Sequence, residues 1–154
     1  MARKAERSSR ARSLARRLAM QALYQWQLTG QGSAELLNQF AADEGYAEVD
    51  AEYFVALLRG VIDAAEALDR TLSELIDRPV AQLDPIEHAV LLIGVFELGH
   101  RLDTPFRVVI NECVELAKKF GATDGHKFVN AVLDRAARNL RAAEHAAAAR
   151  APRG

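Results

Sequence analysis

Apolar residues recur at three- and four-residue spacing along nearly the whole chain, and no stretch alternates apolar and polar positions as a half-buried strand does. In the first such segment Ala15, Leu18, Ala19, Ala22, Leu23 and Trp26 form one stripe, with Arg17, Gln21 and Tyr24 on another face. The pattern predicts a helix from near Ser9 to Leu28, stopped by Thr29 and Gly30. Ser33 is placed to cap a second helix carrying Leu36, Leu37 and Phe40. Asp50 is placed to cap a third, whose stripe runs through Phe54, Leu57, Leu58, Val61, Ile62, Ala65 and Leu68. Arg78-Pro79 marks its end, because the residue before proline avoids the helical region. Asp84-Pro85 then reads as an acceptor at the N-cap followed by proline at the first helical position. The helix it starts is apolar nearly all round over residues 89–96, which predicts a central, buried element. Thr104-Pro105 repeats the start signal for a helix with Val109, Ile110, Cys113, Leu116, Ala117 and Phe120 on one stripe. After Gly121 and a short loop, a last helix places Phe128, Val129, Val132, Leu133 and Ala136 on its inner face. Beyond about Leu140 an Ala/Arg tail offers little to pack, and frayed helix or disorder is expected there. The expected fold is an all-α bundle of six or seven helices. Its expected parts are a basic flexible arm over residues 1–13, one domain over 14–142 and the tail over 143–154.

Composition narrows the function classes. Half of the 154 residues are hydrophobic, enough for a real core, and the longest apolar run is too short to span a bilayer. One cysteine excludes an internal disulfide framework and a Cys-based zinc site. The basic N-terminus is followed by no apolar segment of the signal-peptide kind, so a cytoplasmic address is expected by default. A net charge of −1 conceals a strong asymmetry. Residues 1–17 hold Arg3, Lys4, Arg7, Arg10, Arg12, Arg16 and Arg17 against Glu6 alone, whereas residues 18–134 hold 8 basic and 19 acidic side chains. A basic arm suits a polyanion, and an acidic body suits a basic protein.

Nothing in the chain carries an enzyme's chemistry. Cys113 sits on an apolar stripe, as a structural thiol does. None of His88, His100, His126 and His145 has a second His or Cys three or four residues on, so helical metal-ligand spacing is absent. Glu112 and Glu115 share a polar helix face, where glutamates are usually just solvated. There is no phosphate-binding Gly-rich loop and no G-x-S-x-G setting. No cofactor or metal is expected. The nucleic-acid signal is stronger. Arginine forks bind phosphate and stack on bases, and arginine-rich segments often order on binding RNA. On charge alone, RNA binding is only a slight favourite over a solvated tail. A second cluster, Thr123, Asp124, Gly125, His126, Lys127 and Phe128, opens the last helix. Lys127 and backbone N–H groups there could hold a phosphate, while Phe128 reads equally as a stacking ring or as core, and periodicity favours core.

Several runs resemble the transcription antitermination factor NusB family: AMQALYQWQL at 19–28, YFVALLRGV at 53–61, IEHAVLLI at 86–93, INECVELAK at 110–118 and FGATDGHKFVNAVLD at 120–134. The likeness covers roughly residues 10–140 in order. It implies two packed helical bundles and a non-enzymatic function. Such proteins pair with a small-subunit ribosomal protein, also called NusE, and the pair binds boxA, a single-stranded leader RNA of ribosomal RNA operons. Other Nus factors and RNA polymerase join indirectly, and termination is suppressed. No membrane is involved, and a homodimer of the free protein stays open. By position, the resemblance implies RNA contacts at Arg10, Arg12, Arg16, Arg17, Tyr24, Asp124, Lys127 and Phe128, and a partner contact at Glu87. Two features depart from the family: Ser8, Ser9 and Ser13 spread the arginine cluster, and Gly125 stands where relatives often carry a hydroxyl. Two alternatives come from other classes. One is a helical protein-interaction module that binds no RNA. The other is the helical part of an RNA methyltransferase, which the missing Gly-rich cofactor loop disfavours.

Overall fold

A computed structural model describes residues 2–151 of the chain. Met1 of the expected arm and residues 152–154 of the expected tail lie outside the described residues. Among the described residues there are seven α-helices and no strand: α1 (Ala2–Thr29), α2 (Ser33–Ala41), α3 (Ala51–Leu75), α4 (Pro85–His100), α5 (Phe106–Phe120), α6 (Gly125–Leu140) and α7 (Ala142–Arg150). Short 3-10 turns occupy Glu44–Glu48 and Val80–Gln82. The all-α expectation holds. The chain divides into two compact units, Met1–Ala65 and Glu66–Gly154, and the division falls within α3.

In the first unit α1 begins at Ala2, well before the expected start near Ser9. Residues 2–8 are mostly Ala, Arg, Lys and Glu, all good helix formers, so nothing there stops the helix. The expected stripe is buried at Ala15, Leu18, Ala19, Ala22 and Leu23, and Trp26 is half-buried. Asp50 caps α3 as expected, its Oδ1 accepting from the Tyr53 N–H at 3.1 Å. The Asp50 N–H in turn donates to the Ala11 carbonyl at 3.0 Å, which ties the start of α3 to α1. Ser33 does not cap α2. It is the first helical residue, Gly32 holds the cap position, and no side chain bonds the free N–H groups.

In the second unit α4 is the core element, as its pattern predicts. Ala89, Val90, Leu91, Leu92, Ile93, Val95, Phe96 and Leu98 are all buried, and α4, α5 and α6 pack on one another. Full burial of a Leu or Ile side chain is worth ~1.5–3 kcal/mol, so this helix carries much of the unit's stability. Gly94 permits the close approach, since a Cβ there would fall 2.7 Å from the Leu133 methyls and 3.3 Å from the Cys113 sulfur. Asp84 caps α4, one carboxyl oxygen accepting from the Ile86 and Glu87 N–H groups at 3.1 Å each.

Two expectations for this unit need correction. Thr104 does not cap α5. The Phe106 N–H is taken instead by the Glu144 carboxylate of α7 at 2.9 Å. The tail past Leu140, expected as frayed helix or disorder, is helical over Ala142–Arg150, and α7 is held by polar groups rather than by apolar packing. Arg141, 5% exposed, donates to the carbonyls of Leu98 (2.7 Å), Thr104 (3.0 Å), Glu97 (3.2 Å) and Arg101 (2.8 Å). It also pairs with Glu144 at 2.8 Å. These carbonyls end α4 and lead out of it, where a helix leaves acceptors without partners and welcomes a cation. His145 stacks on Phe106 at 5.2 Å between ring centroids and pairs with Asp134 at 3.1 Å.

Candidate nucleic-acid interface

Helical periodicity sorts the arginines of α1. Residues seven apart drift by only about 20° around an α-helix, so Arg3, Arg10, Arg17 and Tyr24 line one long strip. Arg10 and Arg17 are exposed, and Tyr24 is 37% exposed. The strip runs for about 30 Å at 1.5 Å per residue. Arg12 and Arg16 turn the other way, onto Tyr53 of α3. Their guanidinium carbons lie 4.5 and 5.3 Å from its ring centroid. Arg12 also pairs with Asp50 at 3.7 Å. Arg16 is 1% exposed and its Nη2 reaches the Tyr53 hydroxyl at 3.5 Å. Of the four arginines singled out from the sequence, the fold therefore presents Arg10 and Arg17 beside Tyr24, half-exposes Arg12, and buries Arg16. The sequence pattern gives Tyr53 no site role. An aromatic three residues after a helix cap, opposite an arginine pair, is the signal that would have drawn notice to it.

In the second unit the α5–α6 turn holds the other candidates. Asp124 adopts the left-handed region at φ 64°, which turns the chain sharply into α6. Lys127 pairs with Asp124 at 3.3 Å, and both side chains are largely exposed. Phe128 is half-buried rather than core, and Arg78 covers its ring at 4.3 Å from guanidinium carbon to centroid. Glu87 belongs to the same cluster. It is 6% exposed, and a Cβ at Gly125 would come within 2.9–3.1 Å of its carboxyl group. That contact explains glycine at 125: a side chain there would push the carboxylate away. Burial raises the Glu87 pKa above the usual carboxylate value and Asp84 adds to the rise, while Arg78 and the Ala122 N–H oppose it. Glu87 thus lies beneath the α5–α6 turn in the free chain. In the sequence Arg78 marks only a helix stop; that an exposed arginine shares the Phe128 ring is visible only in three dimensions.

No group of three or more His, Cys, Asp or Glu side chains suited to a metal ion occurs among the described residues, and Cys113 is buried. No helix among them is long and apolar enough to cross a membrane.

The NusB family model matches residues 13–138. The chain belongs to the NusB family. Its relatives include the transcription antitermination protein NusB of Hahella chejuensis, 50% identical over 137 residues, which are 89% of this chain and 92% of that protein. The NusB of Alcanivorax borkumensis is 52% identical over 143 residues, 93% of this chain and 94% of that protein. Among solved structures, NusB of T. maritima superposes with a TM-score of 0.75 at 27% identity, covering 82% of this chain and 89% of that one. A structure of antitermination factors NusB and NusE in complex with double-stranded RNA superposes with a TM-score of 0.69 at 26% identity, covering 90% and 98%. The NusB family likeness spans both units, and with them the α1 strip and the α5–α6 turn.

Proposed function

We propose that this chain is an RNA-binding transcription antitermination factor that pairs with the small-subunit ribosomal protein NusE and binds the boxA element of ribosomal RNA leaders. It works by binding, without catalysis, in the cytoplasm where transcription takes place. Other Nus factors and RNA polymerase join through the assembled complex, and premature termination is suppressed. The observation that carries this reading is the strip of Arg10, Arg17 and Tyr24 on α1, two exposed cations in line with an exposed ring, in a chain of the NusB family. The NusB relative solved with NusE and RNA supports the same pairing. Arg10 and Arg17 supply phosphate contacts, which set affinity and its salt dependence. Tyr24 supplies a stacking face, which suits an unpaired base, and Phe128 lies at a second such site. Lys127 and Asp124 add polar contacts at the α6 start. On α1 Arg12 contributes a further half-exposed cation, while Arg16 acts from within by holding α1 on Tyr53. Glu87 serves the partner contact through the turn it supports.

Fluorescence anisotropy of a labelled boxA-type RNA, with and without NusE and at several salt concentrations, tests the reading. Tight, salt-steep binding that strengthens with NusE and drops for a scrambled RNA is expected. Replacing Tyr24 by Ala should cost about 1–3 kcal/mol of RNA binding. Weak binding indifferent to partner and sequence would favour a protein-interaction module instead.

A further inference from the structure

Arg78 has no role in the RNA contacts proposed above, yet it occupies the aromatic ring of the second candidate cluster. Its side chain is exposed, in the short segment between α3 and the 80–82 turn. Both ends of that segment are constrained. Arg135 donates to the Leu75 carbonyl where α3 ends, and Pro79 fixes the backbone just after Arg78. The guanidinium carbon lies 4.3 Å from the Phe128 ring centroid, within contact range for a cation over a π face. Phe128 is itself half-buried, so a base stacking on the ring's Arg78 side would have to expel the guanidinium first. The guanidinium is the accessible surface. It is also planar and weakly hydrated, and arginine planes accept bases as aromatic rings do.

We propose that Arg78 is a base-stacking residue: resting on Phe128, its guanidinium forms the outer plate on which one unpaired RNA base lies. The inference rests on the RNA-binding reading and adds to it a residue and a mode of contact. Phe128 then acts chiefly as the floor that fixes Arg78. The N–H rim of Arg78 can donate to a neighbouring phosphate or base edge, and Lys127, exposed one residue before Phe128, adds a second cation on α6.

The test is anisotropy titration of a single-stranded boxA-type RNA against the full chain with NusE present, for wild type, R78A, R78K and F128L. Each is repeated with RNAs carrying one abasic position at a time. R78A should weaken binding about five- to tenfold or more, the loss of one stacked base. R78K keeps the charge and lacks the plane, so it should stay nearly as weak as R78A while its salt slope matches wild type. F128L, which removes the floor, should weaken binding comparably. At one abasic position wild type should fall to the level of R78A, and R78A should lose nothing more. Since Arg78 is exposed, the melting temperature of R78A should match wild type. Wild-type affinity for R78K would overturn the proposal and leave Arg78 a point charge. Wild-type affinity for R78A would remove it from the interface. Wild-type protein that fails to distinguish boxA from scrambled RNA would instead overturn the RNA-binding reading, and the Arg78 proposal with it.

Discussion

Two adjacent arginine residues on α1 have opposite fates, and each fate is a measurable prediction. Arg17 is exposed on the strip, whereas Arg16 is buried with its guanidinium on Tyr53. Arg17→Ala should leave the melting temperature unchanged and flatten the salt slope of RNA binding by about 0.7, the share of one phosphate on a single strand. Arg16→Ala should do the reverse. Truncating a buried, partnered cation is expected to cost about 3 kcal/mol of stability, seen as a lower melting temperature, with RNA affinity affected only through the fold. A double variant of both would blur the two effects, so the single variants are the informative ones. Glu87 gives a pH signature. Its folded pKa lies above its unfolded one, so the folded state holds the proton more tightly. Stability on this account is greatest below the ordinary carboxylate value and is lost as pH rises through the raised folded value. Glu87→Gln keeps an acceptor for the Ala122 N–H and removes the buried charge. Its stability relative to wild type should therefore grow over that same rise in pH, measured by urea melts at stepped pH.

Among the helices, α7 tests how the second unit is closed. Arg141 ties the end of α4 to α7, and Glu144 caps α5 from the same helix. Arg141→Ala would leave the carbonyls of Glu97, Leu98, Thr104 and Arg101 without this donor, and should cost about 3 kcal/mol by denaturant melts. Glu144 titrates below the usual carboxylate value because the Phe106 N–H, then Arg141, favours its charged form. Its contribution is present above the ordinary carboxylate value and is lost as pH falls through the lowered one. Acid should thus loosen α7 early, read by hydrogen exchange of the α7 amides. These contacts also show what one-dimensional patterns can and cannot reveal. Apolar spacing located α3, α4, α5 and α6, and Asp84-Pro85 located a start, because burial and capping act within a few residues. It leaves α7 between frayed helix and disorder, because alanines show no stripe and Arg141 bonds residues some forty positions away. It misjudged Ser33 and Thr104, since a cap depends on rotamer and on competing partners. In the same way it named Phe128 and Lys127 but passed over Arg78, whose neighbour in space is fifty positions away in sequence.

Charge is distributed unevenly along the chain, and the two polymers it binds answer to charge of opposite sign. The first 17 residues are strongly basic, and residues 18–134 carry 19 acidic side chains against 8 basic ones. A basic ribosomal protein approaching the acidic surface is steered before contact, which raises the association rate more than the final affinity. The rate constant for association with NusE should therefore fall about tenfold between low and moderately high salt, while dissociation changes little. Stopped-flow mixing with dissociation measured separately by dilution would resolve the two. RNA should behave differently. Its phosphates release counterions from the α1 strip on binding, so its equilibrium affinity itself should decline with salt on a log-log line. Removing Arg10 and Arg17 should flatten that line and leave the salt dependence of the NusE association rate unchanged, because the groups that steer the partner are the acidic ones. An association rate flat in salt would mean that the acidic surface plays no part in finding NusE, and that docking is guided by apolar shape alone.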